Sequence, residues 1–154
     1  MLAGTATAAQ AGSTTQVCKA SQLRANRLDS SGAAGTIVFS VTLRNTGAAC
    51  ALKGYAGLRL TKRTGSLPTR VVHDDFGPLD QQARTILLAH NGQATILVAY
   101  SDVPTGSARC PQSTGLLIRP PGQNRWLQVA VHATACNRGT LRESPVLAGV
   151  HRSP

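Results

Sequence analysis

Four cysteines carry the most definite chemistry in this 154-residue chain. They are Cys18, Cys50, Cys110 and Cys136, and no two of them form a C-x-x-C pair, which argues against a structural zinc site. An even number of cysteines in a β-rich chain predicts two disulfides instead. Of the three connectivities, Cys18–Cys50 with Cys110–Cys136 is preferred because each bond joins neighbouring segments. The alternative is four buried free thiols in a reducing compartment.

A second set of residues suggests anion binding. The chain has 16 basic and 6 acidic residues, a formal net charge of +10. Arg59, Thr61 and Arg63 alternate along a predicted strand and therefore share one of its faces, with Lys62 on the other. The predicted anion-binding face consists of Lys53, Arg59 and Arg63, with Arg24 and Arg27 expected nearby. Its ligands would be nucleic acid, anionic lipid headgroups or phosphate-bearing envelope polymers; the competing interpretation is a soluble, arginine-rich surface without a partner.

The aromatic residues make nucleic acid the less favoured of these partners. Single-strand binders add stacking aromatic rings to a basic groove. This chain has five aromatic residues, of which Phe39 is predicted to lie in the core and Trp126 to pack on a sheet face: Phe39, Tyr55, Phe76, Tyr100 and Trp126. A reduced, cytosolic β-domain that binds nucleic acid remains the alternative function.

Catalytic and metal-binding patterns are weak. The sequence contains no G-x-S-x-G elbow, phosphate-binding loop or dinucleotide fingerprint. His73, Asp74 and Asp75 could hold a cation, but a solvated loop is the favoured interpretation. His132 and Cys136 are four residues apart, and an oxidised Cys136 cannot be a metal ligand. We therefore expect a protein that is not an enzyme and has no metal or cofactor.

The elements that would position these residues are predicted to be short strands. β-Branched residues make up 31 of the 154, whereas the chain has one Glu, one Met and three Lys, so an all-β fold is favoured. The clearest strand spans Thr36–Asn45. Its apolar residues fall on one face and its polar residues on the other, which predicts a sheet with one buried face: Ile37, Phe39, Val41 and Leu43 against Ser40, Thr42 and Arg44.

Other strands are predicted between turn signals. They are 23–28, 58–62, 69–72, 84–89, 94–100, 115–119 and 126–131, with a loop at 74–78. Asn91-Gly92 predicts a hairpin between 84–89 and 94–100, whereas a helix beginning after Asp80 and running through Ala89 is the alternative. A second hairpin is predicted across Pro120-Pro121-Gly122. Eight or nine short strands indicate a two-sheet sandwich.

The ends of the chain differ in composition from this region. Residues 1–16 contain no charge, and Ala9-Gln10-Ala11 has the form of a signal-peptidase site. We expect a disordered leader or signal remnant at 1–16, a β-sandwich domain at 17–148 and a flexible tail at 149–154. No apolar run approaches the length of about 20 residues that a membrane-spanning helix needs.

Several motifs occur together along the chain, namely Cys18 with Leu23, Gly35, Asn45-Thr46-Gly47, Cys50-Ala51-Leu52-Lys53-Gly54-Tyr55, the segment 88–94, Cys110, Pro120-Pro121-Gly122, Cys136 and Ser144-Pro145. Together they resemble an actinobacterial family, the domain of unknown function 4232. The resemblance covers about residues 17–147. It implies an exported or lipid-anchored cell-envelope domain with an immunoglobulin-like β-sandwich and two disulfides. It implies no activity.

The chain departs from the family pattern at three places. Ala56 and Asn91 stand where the pattern has proline, and neither change threatens the fold. Thr15-Gln16-Val17 before Cys18 is not a lipobox, so Cys18 is predicted to carry no lipid. We therefore expect an exported, monomeric binding or structural module, located in the cell envelope or secreted, with anionic envelope polymers or a membrane surface as its partner.

Overall fold

The computed structural model describes residues 15–73, 79 and 81–154, so the predicted loop at 74–78 lies outside the described residues. The described chain forms twelve strands, a 3-10 turn at Ala20–Gln22 and a tight turn at Cys136–Gly139. The strands are β1 (Leu23–Ala33), β2 (Thr36–Asn45), β3 (Cys50–Leu52), β4 (Gly57–Lys62), β5 (Gly65–Ser66), β6 (Arg70–His73), β7 (Ile86–Leu88), β8 (Gln93–Ser101), β9 (Gln112–Arg119), β10 (Leu127–Thr134), β11 (Thr140–Glu143) and β12 (Leu147–Ala148).

The first sheet is built around β2, whose bounds are those predicted from its alternating pattern. The strand order is β1-β2-β8-β11-β6, and β12 also pairs with β8. β2 is antiparallel to both of its neighbours, and β11 is parallel to β6. The long register between β2 and β8, from Thr36↔Ser101 to Arg44↔Gln93, fixes the centre of the fold.

The second sheet has the order β10-β9-β4-β5 and is antiparallel throughout. The predicted hairpin across Pro120-Pro121-Gly122 is confirmed, because β9 pairs with β10 from Leu127↔Ile118 to Thr134↔Gln112. Apolar side chains of both sheets form one buried core, which includes Phe39, Val41, Leu43, Leu58, Leu60, Ile96, Val98, Leu116 and Ile118. The fold is thus the all-β, two-sheet sandwich expected from the sequence.

The outer face of the first sheet is also covered, contrary to the prediction of one buried face. Ser40 and Thr42 are buried at 0% and 4% exposure. A second apolar cluster lies on this side of the sheet and consists of Val38, Leu79, Leu97 and Ala99, with Leu147 packed against it. The polar residues of β2 are satisfied in this setting: Ser40 Oγ donates a hydrogen bond to Asp29 Oδ1 at 2.7 Å.

Residues 149–154, the predicted tail, also contact this side of the sheet. His151 N donates to Thr95 Oγ1 at 3.0 Å, and Ser153 N donates to Asp29 Oδ1 at 2.9 Å. The guanidinium of Arg152 lies 3.5 Å from the other Asp29 oxygen. The alternating pattern of β2 does not reveal this cover, because small and polar residues such as Ser and Thr fit both a solvated face and a hydrogen-bonded, buried one.

The hairpin predicted around Asn91-Gly92 has the correct turn but the wrong pairing. Asn91 has the expected positive φ of 64°. However, β7 pairs with β3, from Cys50↔Leu88 to Leu52↔Ile86, while β8 pairs with β2. The alternative helix through Ala89 is also wrong, because β7 is extended. The reason is that both edges of β8 are occupied, by β2 on one side and by β11 and β12 on the other. The side-chain amide of Asn45 donates to the carbonyls of Leu88 and Ala89 at the end of β7.

Candidate anion-binding site

The four cysteines form the two preferred disulfides. Cys18–Cys50 and Cys110–Cys136 have Cα separations of 4.8 and 4.3 Å, and no cysteine of the chain is free. Two disulfides are unusual in the cytosol and consistent with export. The sulfur of Cys18 is bonded to that of Cys50, so it is not available for lipidation.

The structure distributes the predicted basic residues over several parts of the fold. Arg59 is exposed on β4 between the buried Leu58 and Leu60, as the alternation predicts. Arg63 follows the last residue of β4 and lies in the turn to β5. Lys53 follows β3 and lines a depression with the segment Pro121-Gly122. Arg24 and Arg27 lie on β1, in the first sheet rather than beside Arg59.

Arg59 belongs to a cluster with Arg119 and Trp126 that the alternating pattern of β4 does not predict. Its guanidinium carbon, Cζ, lies over the ring of Trp126, 4.9 Å from the centroid. Cζ of Arg119 lies over the same ring at 5.0 Å. Because both carbons are measured to the same ring, they are at most 9.9 Å apart. Each contact is a cation–π interaction, in which the ring quadrupole attracts the cation.

Strand register brings these residues together. β4 pairs with β9 so that Gly57 faces Arg119 and Arg59 faces Leu117, which places both arginines on the outer face of the second sheet. Gly57 leaves the space that Arg119 occupies: a Cβ at residue 57 would lie 3.1 Å from Arg119 Nε. Trp126 directly precedes β10, the neighbour of β9 on its other side.

No acidic residue belongs to the strands that carry the cluster. The six acidic residues of the chain are Asp29, Asp74, Asp75, Asp80, Asp102 and Glu143, so none belongs to β4, β5, β9 or β10. Within the described part of the chain, neither Arg59 nor Arg119 uses its guanidinium in a hydrogen bond or an ion pair. Both therefore offer their N–H groups to an external anion.

A signal for this cluster was present in the sequence. The predicted pairing of 115–119 with 126–131 already places Arg119 beside Trp126. The adjacency of β4 and β9 is a long-range pairing that the alternating pattern does not specify, and so the contribution of Arg59 to the same ring was missed.

A second polar cluster lies at the end of the first sheet. The rings of Tyr55 and His73 are stacked, with centroids 3.7 Å apart and an interplanar angle of 11°. His73 faces Glu143 in the parallel register of β6 and β11, and His73 Nε2 lies 3.0 Å from Glu143 Oε1. Glu143 is fully buried, and its Oε2 has no hydrogen-bond partner among the described residues. Burial disfavours the charged carboxylate and raises the pKa of Glu143 to about 8.

Neither cation site considered from the sequence is assembled in the described chain. Asp74 and Asp75 lie outside the described residues, and His73 is engaged with Tyr55 and Glu143. His132 is exposed on β10, whereas Cys136 is bonded to Cys110. Among the residues that the structure covers, no group of three or more His, Cys, Asp or Glu side chains is placed to hold a metal ion. No helix in the same residues has the length and apolar character to cross a membrane.

Comparison with known proteins gives one match. Residues 18–147 match the family described as domain of unknown function DUF4232. No curated protein and no solved structure matches the chain. The match covers the segment from the first cysteine to β12, and thus both sheets and both disulfides.

Proposed function

This chain belongs to the DUF4232 family, and from its own residues we propose that it is an exported, non-enzymatic binding module for anionic polymers of the cell envelope. Export is supported by the two disulfides. The envelope location and an actinobacterial origin are supported by the motifs that the chain shares with its family. The proposed module acts by binding alone, as a monomer.

One observation carries the choice of an anionic partner. The second sheet exposes Arg59 and Arg119 on a face whose strands contain no carboxylate. In an ordinary solvated surface, basic residues are interspersed with acidic ones that screen and pair with them. A face of one sign attracts polyanions and raises their association rate.

Nucleic acid is the second candidate, and the aromatic residues count against it. Stacking with bases requires free ring faces on the basic surface. Trp126 is covered by arginine, Tyr55 is stacked on His73, and Phe39 and Tyr100 lie together in the core. Among the described residues the basic face therefore offers charge without an open aromatic platform.

The proposal is tested by adsorption. Purified protein is mixed with three anionic probes, namely poly(glycerol phosphate), alginate and phosphatidylglycerol vesicles, with neutral dextran as the control. Reversal of both charges, Arg59→Glu with Arg119→Glu, is expected to reduce adsorption to poly(glycerol phosphate) at least tenfold, because two attractive contacts become repulsive. Adsorption of the wild type is expected to fall steeply as the salt concentration rises.

A matched control isolates the position of the charges from their number. Arg44→Glu with Arg70→Glu makes the same change in net charge at two exposed residues of the first sheet. If this control reduces adsorption as much as the Arg59 and Arg119 reversals do, the second sheet is not the binding face. If the wild type adsorbs to none of the anionic probes, the proposed function is wrong.

A further inference from the structure

We propose that Arg59, Arg119 and Trp126 form a clamp that binds phosphodiester groups of a linear envelope polymer through paired guanidinium forks. This inference rests on the proposed function and names its ligand chemistry. The proposed function requires only positive charge on the second sheet. The clamp additionally requires arginine at both positions and the tryptophan ring that both arginines contact.

The cation–π contacts with Trp126 leave the guanidinium donors available for anion binding. Such a contact uses the positive charge of the guanidinium and occupies none of its five N–H donors in a hydrogen bond. Neither Arg59 nor Arg119 uses these donors in a hydrogen bond within the described chain. The ring therefore restricts two flexible side chains while leaving their donors available, which lowers the conformational entropy that binding would cost.

The paired arrangement favours phosphate over carboxylate. The acceptor directions of a carboxylate lie near one plane, whereas the oxygens of a phosphodiester are arranged tetrahedrally around phosphorus. The guanidinium carbons of Arg59 and Arg119, on separate strands, are at most 9.9 Å apart, so both forks lie within reach of one segment of a polymer. A tetrahedral oxyanion can accept from both forks, or neighbouring phosphodiesters of one polymer can accept from one fork each.

The apolar residues argue for a polymer rather than a lipid bilayer as the source of phosphate. The large apolar side chains that the described chain exposes are Val17, Leu87, Val103 and Val150. None of them lies on β4, β5, β9 or β10. The large apolar side chains on the face that carries the clamp, Leu117 and Trp126, are half-buried, so this face offers little apolar surface to insert among acyl chains, in contrast to peripheral membrane-binding surfaces.

A further basic residue lies beyond the clamp, where β4 ends, and a linear ligand could contact it. Arg63 lies four residues beyond Arg59, in the turn that follows β4, and it is exposed. A polymer that follows β4 from the clamp would reach this second basic position, and repeated contacts along one chain increase its affinity.

The test uses the fluorescence of Trp126, the single tryptophan of the chain. Poly(glycerol phosphate) is titrated into the wild type, and the fluorescence change is expected to report saturable binding. Arg59→Lys with Arg119→Lys retains the net charge but removes both forks. The affinity of this variant for poly(glycerol phosphate) is expected to fall about tenfold, because point charges replace bidentate charge-assisted hydrogen bonds. Its affinity for alginate is expected to fall less, because a planar carboxylate engages one fork rather than two.

Two controls keep the result interpretable. Arg44→Lys with Arg70→Lys makes the same exchange on the first sheet and is expected to leave binding unchanged. Trp126→Leu retains both arginines and removes the ring; its binding, followed by calorimetry, is expected to weaken about fivefold or more, while far-ultraviolet circular dichroism verifies the fold. Since all four arginines are exposed, the lysine variants are expected to fold as the wild type does.

The outcomes separate the clamp from the general proposal. If the Arg59 and Arg119 lysine variant binds poly(glycerol phosphate) as tightly as the wild type, the clamp is overturned and the charge-based function stands. Tighter binding to phosphatidylglycerol vesicles than to poly(glycerol phosphate) would show that the clamp binds lipid headgroups. That result would overturn the proposal that its ligand is a polymer. Equal loss of alginate and phosphate binding would show that the forks do not select phosphate.

Discussion

Glu143 shows how one buried side chain can dominate the pH dependence of stability. It is fully buried beside His73, and its pKa is raised to about 8 from a usual value of 4.5. Between these two pH values the folded protein retains a proton that the unfolded chain releases. The contribution of Glu143 to the free energy of unfolding is therefore fully present below pH 4.5 and is lost as the pH rises toward 8.

The substitution Glu143→Gln removes this titration and retains the ability to form hydrogen bonds. We expect the wild type to lose stability relative to Glu143→Gln by an amount on the order of a few kcal/mol between pH 5 and 8. Urea denaturation at a series of pH values measures the free energy of unfolding of both proteins. The contributions of the other titrating groups are common to both proteins and cancel in the difference. Parallel stability curves for the two proteins would contradict the assignment.

Two glycines with the same backbone conformation are expected to differ in their tolerance of a side chain. Gly139 and Gly122 have φ values of 71° and 75°, so alanine is strained at both. A Cβ at residue 139 would lie 2.0 Å from the carbonyl oxygen of Pro68, whereas one at residue 122 would lie 3.4 Å from a Val17 methyl group.

We therefore expect Gly122→Ala to cost about 1 kcal/mol and Gly139→Ala about 3 kcal/mol or more. The first value reflects backbone strain alone, and the second adds a clash with the backbone. Thermal and urea denaturation of the two variants measure these costs. Equal losses would mean that the approach of the Cys136–Gly139 turn to Pro68 is not as close as the structure shows.

At the scale of elements, the Asn45 side chain joins strands that the sequence pattern cannot connect. Its Nδ2 donates to the carbonyls of Ala48, Leu88 and Ala89 at 2.9, 3.1 and 3.2 Å. Its Oδ1 accepts from Gln22 Nε2 at 2.8 Å and from Gly47 N at 2.9 Å. The end of β2 is thus tied to the segment before β1, to the turn before β3 and to the end of β7.

Asn45→Asp tests this junction with a nearly isosteric change. A carboxylate oxygen would face three carbonyl oxygens in a buried site, and we expect a loss of about 3 kcal/mol or more in the free energy of unfolding. Asn91→Asp makes the same change at an exposed residue of the adjacent turn, where it is expected to cost less than about 0.5 kcal/mol. Similar values for the two variants would contradict the role of Asn45.

The same residues explain how far the sequence could predict the fold. β2 was predicted to its ends because its core-facing residues alternate without interruption, and Arg59 was placed outward by the same rule. The partner of β7 was missed because it depends on long-range pairings, of β8 with β2, β11 and β12 and of β7 with β3, which leave no periodic signal. The cluster of Arg59 with Arg119 was missed because it depends on the β4–β9 pairing and on the space left by Gly57.

At the scale of the whole molecule, the two disulfides differ in their access to solvent. Cys18 and Cys50 are buried at 0% and 2% exposure, whereas Cys110 is half-buried. Exchange requires a thiolate to reach one of the sulfurs. The Cys110–Cys136 bond is therefore the more accessible of the two.

We expect mild reduction of the folded protein to open Cys110–Cys136 at least several-fold faster than Cys18–Cys50. Alkylation at successive times, followed by peptide mass spectrometry, identifies the thiols in their order of appearance. In denaturant, where both bonds are exposed, the two rates are expected to converge. Labelling of Cys18 and Cys50 first in the folded protein would contradict the difference in burial.

The covered outer face of the first sheet limits the number of polymer chains that one molecule can bind. Leu79, Leu147 and the segment 149–153 lie on or beside that sheet, so the second sheet is the open face among the described residues. Under the proposed function, a monomer with one such face, roughly 15–20 Å across its four strands, would bind one polymer chain at a time. Increasing amounts of the protein would then coat a polymer until its length is filled and would not cross-link separate chains into a network.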